Sequence, residues 1–151
     1  MAPISLTIIL LILSQMQIAL FVPMICEFVT TSWVQGKFFK LSDREMLVST
    51  RYGFDMVVDS IDEAVSRSIR DKGTWQPELI HVMAMFAQPG DTILNLGPQT
   101  GLEAVILGKI VGDSGNLYLF EPSTISFRIL LKNIFINDLE DITHAYQVGA
   151  G

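Results

Sequence analysis

The sequence predicts an α/β fold built around a parallel β-sheet and preceded by an apolar N-terminal segment. Three observations support this prediction. After residue 50, short apolar runs alternate with helical patterns, which is typical of parallel strands joined by crossover helices. Turns rich in glycine separate many of these runs. All charged side chains lie beyond residue 26, so the N-terminal segment differs in chemical character from the rest of the chain.

The elements follow from local patterns. Ser60 with Glu63 and Thr100 with Glu103 fit the S/T-x-x-E capping box, so each pair is expected to begin a helix. Pro77 suits the first helical position of another helix. The predicted order is strand 52–58, helix 60–70, helix 77–86, strand 92–96, helix 100–111, strand 116–120, helix 125–136 and strand 143–148.

Composition excludes several classes of protein. With 151 residues, half of them hydrophobic and 17% charged, the chain fits one folded domain and is unlike a disordered chain. Its net charge of −6, without a basic run, argues against a nucleic-acid partner. One cysteine allows no disulfide within the chain, and with two histidines it leaves too few ligands to predict a metal site.

The N-terminal residues predict a membrane anchor. Residues 4–22 form an uncharged run between Pro3 and Pro23, long enough as a helix to span roughly 30 Å of hydrocarbon. A cleaved signal sequence and a buried or interfacial helix are the alternatives. We therefore divide the chain into an anchor or signal (1–26), a linker (27–42) and a domain (43–151), with the protein expected in a membrane as a single-pass chain. Neither the membrane nor the orientation follows from the sequence.

A glycine turn is the first candidate site. Gly97 and Gly101 join the predicted strand 92–96 to a helix. Gly97 would allow a tight turn and close approach of a ligand, and Gly101 would let the helix start close to the sheet. The helix N-terminus would then offer free N–H groups to an anion. Gln99 departs from the G-x-G-x-x-G pattern of dinucleotide-binding folds, so a tight turn without a ligand is the alternative.

An acid at the end of the next strand strengthens the case. Glu121 follows the predicted strand 116–120 and lies 20 residues after Gly101. An acid at this position of a βαβ unit can accept hydrogen bonds from two ribose hydroxyls. A helix cap formed with Ser123 or Thr124 is the alternative role. Together, the turn and the acid predict a nucleoside site.

These residues resemble a known family. Residues 89–101 resemble motif I of class I S-adenosylmethionine-dependent methyltransferases. The Phe-Glu-Pro run at 120–122, followed by Asn133 and Asn137 in a Leu-x-x-Asn-x-x-x-Asn pattern, resembles the FkbM family in particular, as does the aromatic-x-x-Glu pattern within 73–78. The resemblance covers roughly residues 50–151.

The resemblance implies a Rossmann-like methyltransferase fold that binds S-adenosylmethionine. Gly97 and Gly101 would lie beside the methionine part of the cofactor, and Glu121 would bind its ribose. Asn95 stands where motif I usually has an acid, and it would hydrogen-bond to the cofactor without supplying a charge. The family implies O-methylation of a sugar or small-metabolite hydroxyl. No catalytic residue can be assigned.

The family's sheet has seven strands, and this chain resembles the first three. We therefore expect a domain truncated after three parallel strands: a fragment, a truncated gene product, or a half-domain whose open sheet edge accepts a protein partner. The chain alone would then lack the acceptor side of the site. The alternative function is a catalytically inactive, methyltransferase-like structural subunit of a membrane complex, and a third is an unrelated nucleotide-binding module.

Overall fold

The computed structural model of the chain describes residues 38–149. The predicted anchor at 4–22 and most of the predicted linker lie outside these residues. Within 38–149, no helix is both long and apolar enough to cross a membrane. The described residues all fall in one unit, Trp33–Gly151.

An antiparallel sheet opens the described chain. Strands β1 (Phe38–Lys40), β2 (Glu45–Ser49) and β3 (Asp55–Asp59) pair in the order β1-β2-β3. Strand β1 falls within the segment predicted to be a linker. Strand β3 begins three residues later than predicted, because the backbone turns at residues 50–54, where Gly53 has a φ of 84°.

Helices α1 (Val65–Lys72) and α2 (Pro77–Phe86) follow this sheet. Helix α2 has the predicted bounds, but the capping box predicted for α1 is wrong. The helix begins later because the carboxylate of Asp62 accepts hydrogen bonds from the backbone N–H groups of Ala64 (3.0 Å) and Ser66 (2.8 Å). Asp62 thus accepts the hydrogen bonds at the helix start in place of the predicted pair, Ser60 and Glu63.

The parallel sheet is confirmed. Strands β4 (Thr92–Leu96), β5 (Asn116–Phe120) and β6 (Thr143–Tyr146) pair in the order β4-β5-β6. Helix α3 (Leu102–Val111) connects β4 to β5. Helix α4 (Thr124–Phe135) and a 3₁₀ turn (Glu140–Ile142) connect β5 to β6.

Two apolar clusters hold the sheets, and α3 contributes to both. Leu102 joins the cluster of the antiparallel sheet, α1 and α2, whereas Ala104, Val105 and Val111 join the cluster of the parallel sheet and α4. The start of α3, where the candidate site lies, is therefore fixed from both sides.

The parallel sheet has an open edge and a poorly covered face. Within the described residues, β4 pairs with β5 alone. Leu94 and Leu96 on β4 are 65% and 56% exposed. On the neighbouring strands, Phe120 stacks on Tyr146 with ring centroids 5.2 Å apart. A further polypeptide segment could pair with this edge.

Candidate functional site

The turn between β4 and α3 is built from left-handed backbone. Gly97, Gln99 and Gly101 have φ angles of 76°, 53° and 92°. The N–H of Gly97 donates to the carbonyl of Phe120 (2.9 Å), so the turn starts by extending the sheet ladder. A left-handed conformation costs a residue other than glycine roughly 1–2 kcal/mol, and such strain is concentrated at functional sites. Gln99 therefore keeps a glycine-like conformation although it breaks the glycine pattern.

Gly101 lies against helix α4. A Cβ atom at this position would lie 2.5 Å from Cδ1 of Leu130. The carbonyl of Thr100, next to it, accepts a hydrogen bond from the side-chain amide of Asn133 (2.7 Å). By contrast, beyond its chain neighbours nothing lies within 4 Å of a Cβ placed on Gly97. The turn thus has one packed end and one open end.

Glu121 is the residue that joins the two predicted halves of the site. Its carboxylate accepts a hydrogen bond from the N–H of Gln99 (2.9 Å) through Oε2 and another from Ser123 (2.9 Å) through Oε1. The residue is 4% exposed. The hydroxyl of Ser123 itself caps the following helix by accepting from the N–H of Ser126 (3.4 Å), and the bond from Gln99 ties Glu121 to the glycine turn. A carboxylate has about four lone-pair positions, so these two hydrogen bonds leave about two of them unused.

Asn95 is the predicted site residue that the structure leaves apart. It lies in β4 opposite Leu119 and is half-buried. In the described part of the chain, no hydrogen bond connects its amide to the turn or to Glu121. The structure therefore connects Gly97, Gly101 and Glu121, which meet at the carboxyl ends of β4 and β5.

The capping box predicted for α3 is wrong. Gly101 is the N-cap, and no side chain caps the helix. The hydroxyl of Thr100 is buried and finds no hydrogen-bond partner in the described part of the chain. The left-handed backbone of Gly101 places the helix start one residue later than the box requires.

Glu103 is a site candidate that sequence reasoning took for a capping residue. It is the second residue of α3 and is half-buried. Burial raises the pKa of its carboxyl, and a hydrogen bond from its own backbone N–H offsets part of this effect. Within 38–149 it forms no ion pair. Only its place directly after the glycine turn could have marked it in the sequence.

The raised pKa of Glu103 predicts a pH-dependent cost in stability. Between the ordinary value of 4.5 and its raised folded pKa, the folded chain binds more protons than the unfolded chain, so stability falls as pH rises. The charge of Glu103 acts on the pKa of Tyr52, on which Arg51 and Glu78 also act. We expect Glu103→Gln to raise the free energy of unfolding at pH 7, with the gain disappearing near pH 4.

Urea unfolding followed by circular dichroism at several pH values would measure this gain. Glu63→Gln is the control, because that side chain is 74% exposed and its neutralisation should change little. A gain independent of pH would contradict the expectation.

The described residues contain no group of three or more His, Cys, Asp or Glu side chains arranged to hold a metal ion. The groups that the structure connects at the turn are the N–H of Gln99 and the carboxylate of Glu121, beside the open surface of Gly97. Such a set is suited to binding a polar organic molecule.

Comparison with known proteins gives structural matches only. No protein-family model matches the chain, and no curated protein does. Among solved structures, the transferase PH0793 of Pyrococcus horikoshii matches with a TM-score of 0.56 and 18% identity over 72% of this chain and 37% of its own. TYW2 of P. horikoshii, in complex with MeSAdo, matches with a TM-score of 0.55 and 19% identity over the same shares.

A SAM-dependent O-methyltransferase of Thermotoga maritima also matches, covering 72% of this chain and 57% of its own, but at 15% identity and a TM-score of 0.45 it is too distant to decide the fold. The two better matches, with the parallel order β4-β5-β6, give the described chain the Rossmann-like α/β fold that it shares with these two structures. The chain spans about 37% of the length of these two neighbours.

Proposed function

We propose that this chain is the cofactor-binding part of an S-adenosylmethionine-dependent methyltransferase. The observation that carries the proposal is the hydrogen bond from the N–H of Gln99 to Glu121, which brings the strand-end acid onto the glycine turn. Ligands of open α/β sheets bind outside the carboxyl ends of the strands, where this pair lies. The fold shared with the two Pyrococcus structures supports the same class of protein.

The residues fit a nucleoside with an attached amino acid. The two remaining lone-pair positions of Glu121 suit the two ribose hydroxyls. The open side of Gly97 leaves space for a ligand against the backbone. S-adenosylmethionine, when bound, supplies a methyl group already activated on a sulfonium. The work of this chain is therefore to bind and orient it, as positioning contributes much of the rate in such transfers.

The finer proposal places the chain in the FkbM family, acting on a hydroxyl of a sugar or small metabolite. The Phe-Glu-Pro run and the asparagines Asn133 and Asn137 support it. Residues 4–22 would anchor the chain as a single span in a membrane. The uncharged run of 19 residues is the support for this part.

A protein partner at the edge of β4 belongs to the same proposal. The exposed Leu94 and Leu96 lie on a strand whose outer edge has no neighbour among residues 38–149. A segment pairing there would bury apolar surface and satisfy backbone groups. The same observation favours a second candidate function, an inactive methyltransferase-like subunit of a membrane complex.

Calorimetric titration of the full chain with S-adenosylhomocysteine, in a mild detergent, tests cofactor binding. We expect binding by the natural chain and a loss of at least about 100-fold in affinity in Glu121→Ala, because hydrogen bonds to a charged group are worth about 1.5–3 kcal/mol each. The loss has two sources: the ribose loses its acceptor, and Gln99 loses the bond that holds the turn.

Glu63→Ala is the matched control, since it removes an exposed carboxylate of equal charge. Circular dichroism would establish that each variant is folded. A folded natural chain that does not bind S-adenosylhomocysteine would overturn the enzyme proposal and leave the structural-subunit alternative.

A further inference from the structure

The side-chain amide of Asn133 joins two segments that are distant in the sequence. Its Oδ1 accepts a hydrogen bond from the N–H of Val57 in β3 (2.6 Å), 76 residues earlier in the chain. Its Nδ2 donates to the carbonyl of Val57 (2.9 Å) and to the carbonyl of Thr100 in the glycine turn (2.7 Å). The residue is fully buried. A single amide on α4 therefore connects the antiparallel sheet to the candidate site.

The contacts with β3 fix which way this amide faces. A side-chain amide has one oxygen that accepts and one nitrogen that donates two hydrogen bonds. The N–H of Val57 requires the oxygen on its side, and the carbonyls of Val57 and Thr100 then take both donor positions of Nδ2. The reversed amide would place its oxygen against two carbonyls. Strand β3 thus directs a donor N–H towards the glycine turn.

The turn needs such support because its backbone is strained. Gln99, which precedes Thr100, has a φ of 53°, and Gly101, which follows it, has a φ of 92°. A residue other than glycine stays in the left-handed region only where the surrounding structure holds it there. Glu121 accepts from the N–H of Gln99 (2.9 Å), and Asn133 donates to the carbonyl of Thr100 (2.7 Å). These two hydrogen bonds hold the peptide groups before Gln99 and after Thr100.

The bond to Thr100 acts on the backbone through a planar peptide group. The carbonyl of Thr100 and the N–H of Gly101 belong to the same trans peptide group, so they point in opposite directions. While Asn133 holds the carbonyl, the N–H of Gly101 faces the other way and donates to the carbonyl of Pro98 (2.8 Å), which closes the turn. The orientation of this one peptide group therefore sets the path of the chain from Pro98 to the start of α3.

We infer that Asn133 is a positioning residue for the cofactor turn, and that through it the antiparallel sheet sets how tightly the turn binds its ligand. This inference rests on the proposed function and extends it. Asn133 is buried and bonds to the backbone of the turn, so it acts through Thr100 and not on the ligand itself. Its amide keeps the peptide group after Thr100 in the binding orientation before the ligand arrives, so binding does not have to order the turn.

Calorimetric titration of the full chain with S-adenosylhomocysteine, in a mild detergent, tests this role. We expect Asn133→Ala to weaken binding by about 3- to 10-fold, the range for one hydrogen bond between uncharged groups. The variant lacks the amide, so the carbonyl of Thr100 is free to turn. Titrations at a temperature at which circular dichroism shows the variant to be folded exclude unfolding as the cause.

Ile142→Ala is the matched control for lost stability. Ile142 is buried in the core of the parallel sheet and precedes β6, at the amino end of the strands, whereas the glycine turn follows β4 at their carboxyl end. Removing a large buried side chain should lower the stability to a similar degree, but affinity for S-adenosylhomocysteine should change less than twofold. Equal affinity of folded Asn133→Ala and the natural chain, or an equal loss of affinity in Ile142→Ala, would overturn the inference.

A second measurement, on the natural chain, decides the question if Asn133→Ala does not fold. NMR of the ¹⁵N-labelled full chain would follow the side-chain amide signals of Asn133 during titration with S-adenosylhomocysteine. We expect them to shift with the same Kd as the N–H signal of Gln99, because a ligand on the turn changes the polarisation of the Thr100 carbonyl. The side-chain amide of Asn137 is the control and should shift less, since it donates to the carbonyls of Asp55 and Asn133 instead.

The outcomes separate this inference from the proposed function. A shift of the Gln99 signal without any change in the side-chain signals of Asn133 would overturn the inference alone. Failure of the folded natural chain to bind S-adenosylhomocysteine would overturn the proposed function, and this inference with it.

Discussion

Asn133→Ala is expected to lower the free energy of unfolding by about 3–5 kcal/mol. The side chain of Asn133 is fully buried and makes three hydrogen bonds. Its Oδ1 accepts from the N–H of Val57 (2.6 Å), and its Nδ2 donates to the carbonyls of Val57 (2.9 Å) and Thr100 (2.7 Å). Each buried group left without a partner costs about 1–3 kcal/mol. The expected loss is a large share of the 5–15 kcal/mol that keeps a domain folded.

Urea unfolding followed by circular dichroism would measure this loss. Asn137→Ala is the matched control, since Asn137 only donates, to the carbonyls of Asp55 (3.1 Å) and Asn133 (2.9 Å). It should lose about 1–2 kcal/mol. Asn133→Asp tests the direction of these hydrogen bonds, because it replaces the donor Nδ2 with an oxygen that faces the carbonyls of Val57 and Thr100. It should lower the free energy of unfolding at least as much as Asn133→Ala. A loss below about 1 kcal/mol in Asn133→Ala would show that other groups satisfy Val57.

The role of Asn133 also shows what a family resemblance can and cannot predict. The pattern singled out Asn133 and Asn137, but nothing in the pattern gave them a physical task. In the structure, the side-chain amides of both residues hydrogen-bond to the backbone of β3. Asn133 accepts from the N–H and donates to the carbonyl of Val57, as the backbone of a neighbouring strand would. This role depends on how α4 packs across an antiparallel sheet, which local sequence does not specify.

Elements with strong local signals were predicted well. Helix α2 begins at a proline, β4 and β5 are short apolar runs, and α3 ends before Gly112. The antiparallel sheet was largely missed. Strand β1 is exposed along its whole length and pairs with β2, so it shows no alternation between buried and exposed positions. Its formation depends on the partner strand, which a reading of local periodicity cannot provide.

The residues of the candidate site also differ in whether local sequence predicts them. Gly97, Gly101 and Glu121 were predictable because chain order places them at the carboxyl ends of adjacent parallel strands. Glu103 was assigned to a capping box because the spacing fits one. In the structure it is half-buried, and its charge acts on Tyr52, about 50 residues earlier in the chain. Contacts between distant segments, rather than local pattern, decide its chemistry.

Gly101→Ala is expected to lower the free energy of unfolding by about 2–5 kcal/mol. Most of this loss should come from contact with helix α4. Alanine at a φ of 92° is strained by roughly 1–2 kcal/mol, and its Cβ would lie 2.5 Å from Cδ1 of Leu130. That methyl group belongs to a flexible side chain, but Leu130 is fully buried in the core of the parallel sheet, so its movement is resisted. Gly97→Ala carries similar strain without the contact and should lose only the strain energy.

The two contributions can be separated by a double-mutant cycle with Leu130→Ala. Removing the Leu130 side chain leaves space for the new Cβ, so Gly101→Ala should cost about 1–2 kcal/mol in that background, close to Gly97→Ala. An unchanged cost would mean that backbone strain alone explains the glycine. A reduced cost would show that Gly101 lets the start of α3 approach α4, and this approach also places the carbonyl of Thr100 on Asn133. The glycine and the asparagine would then hold the turn from the same side, whereas Gly97 lies at its open end.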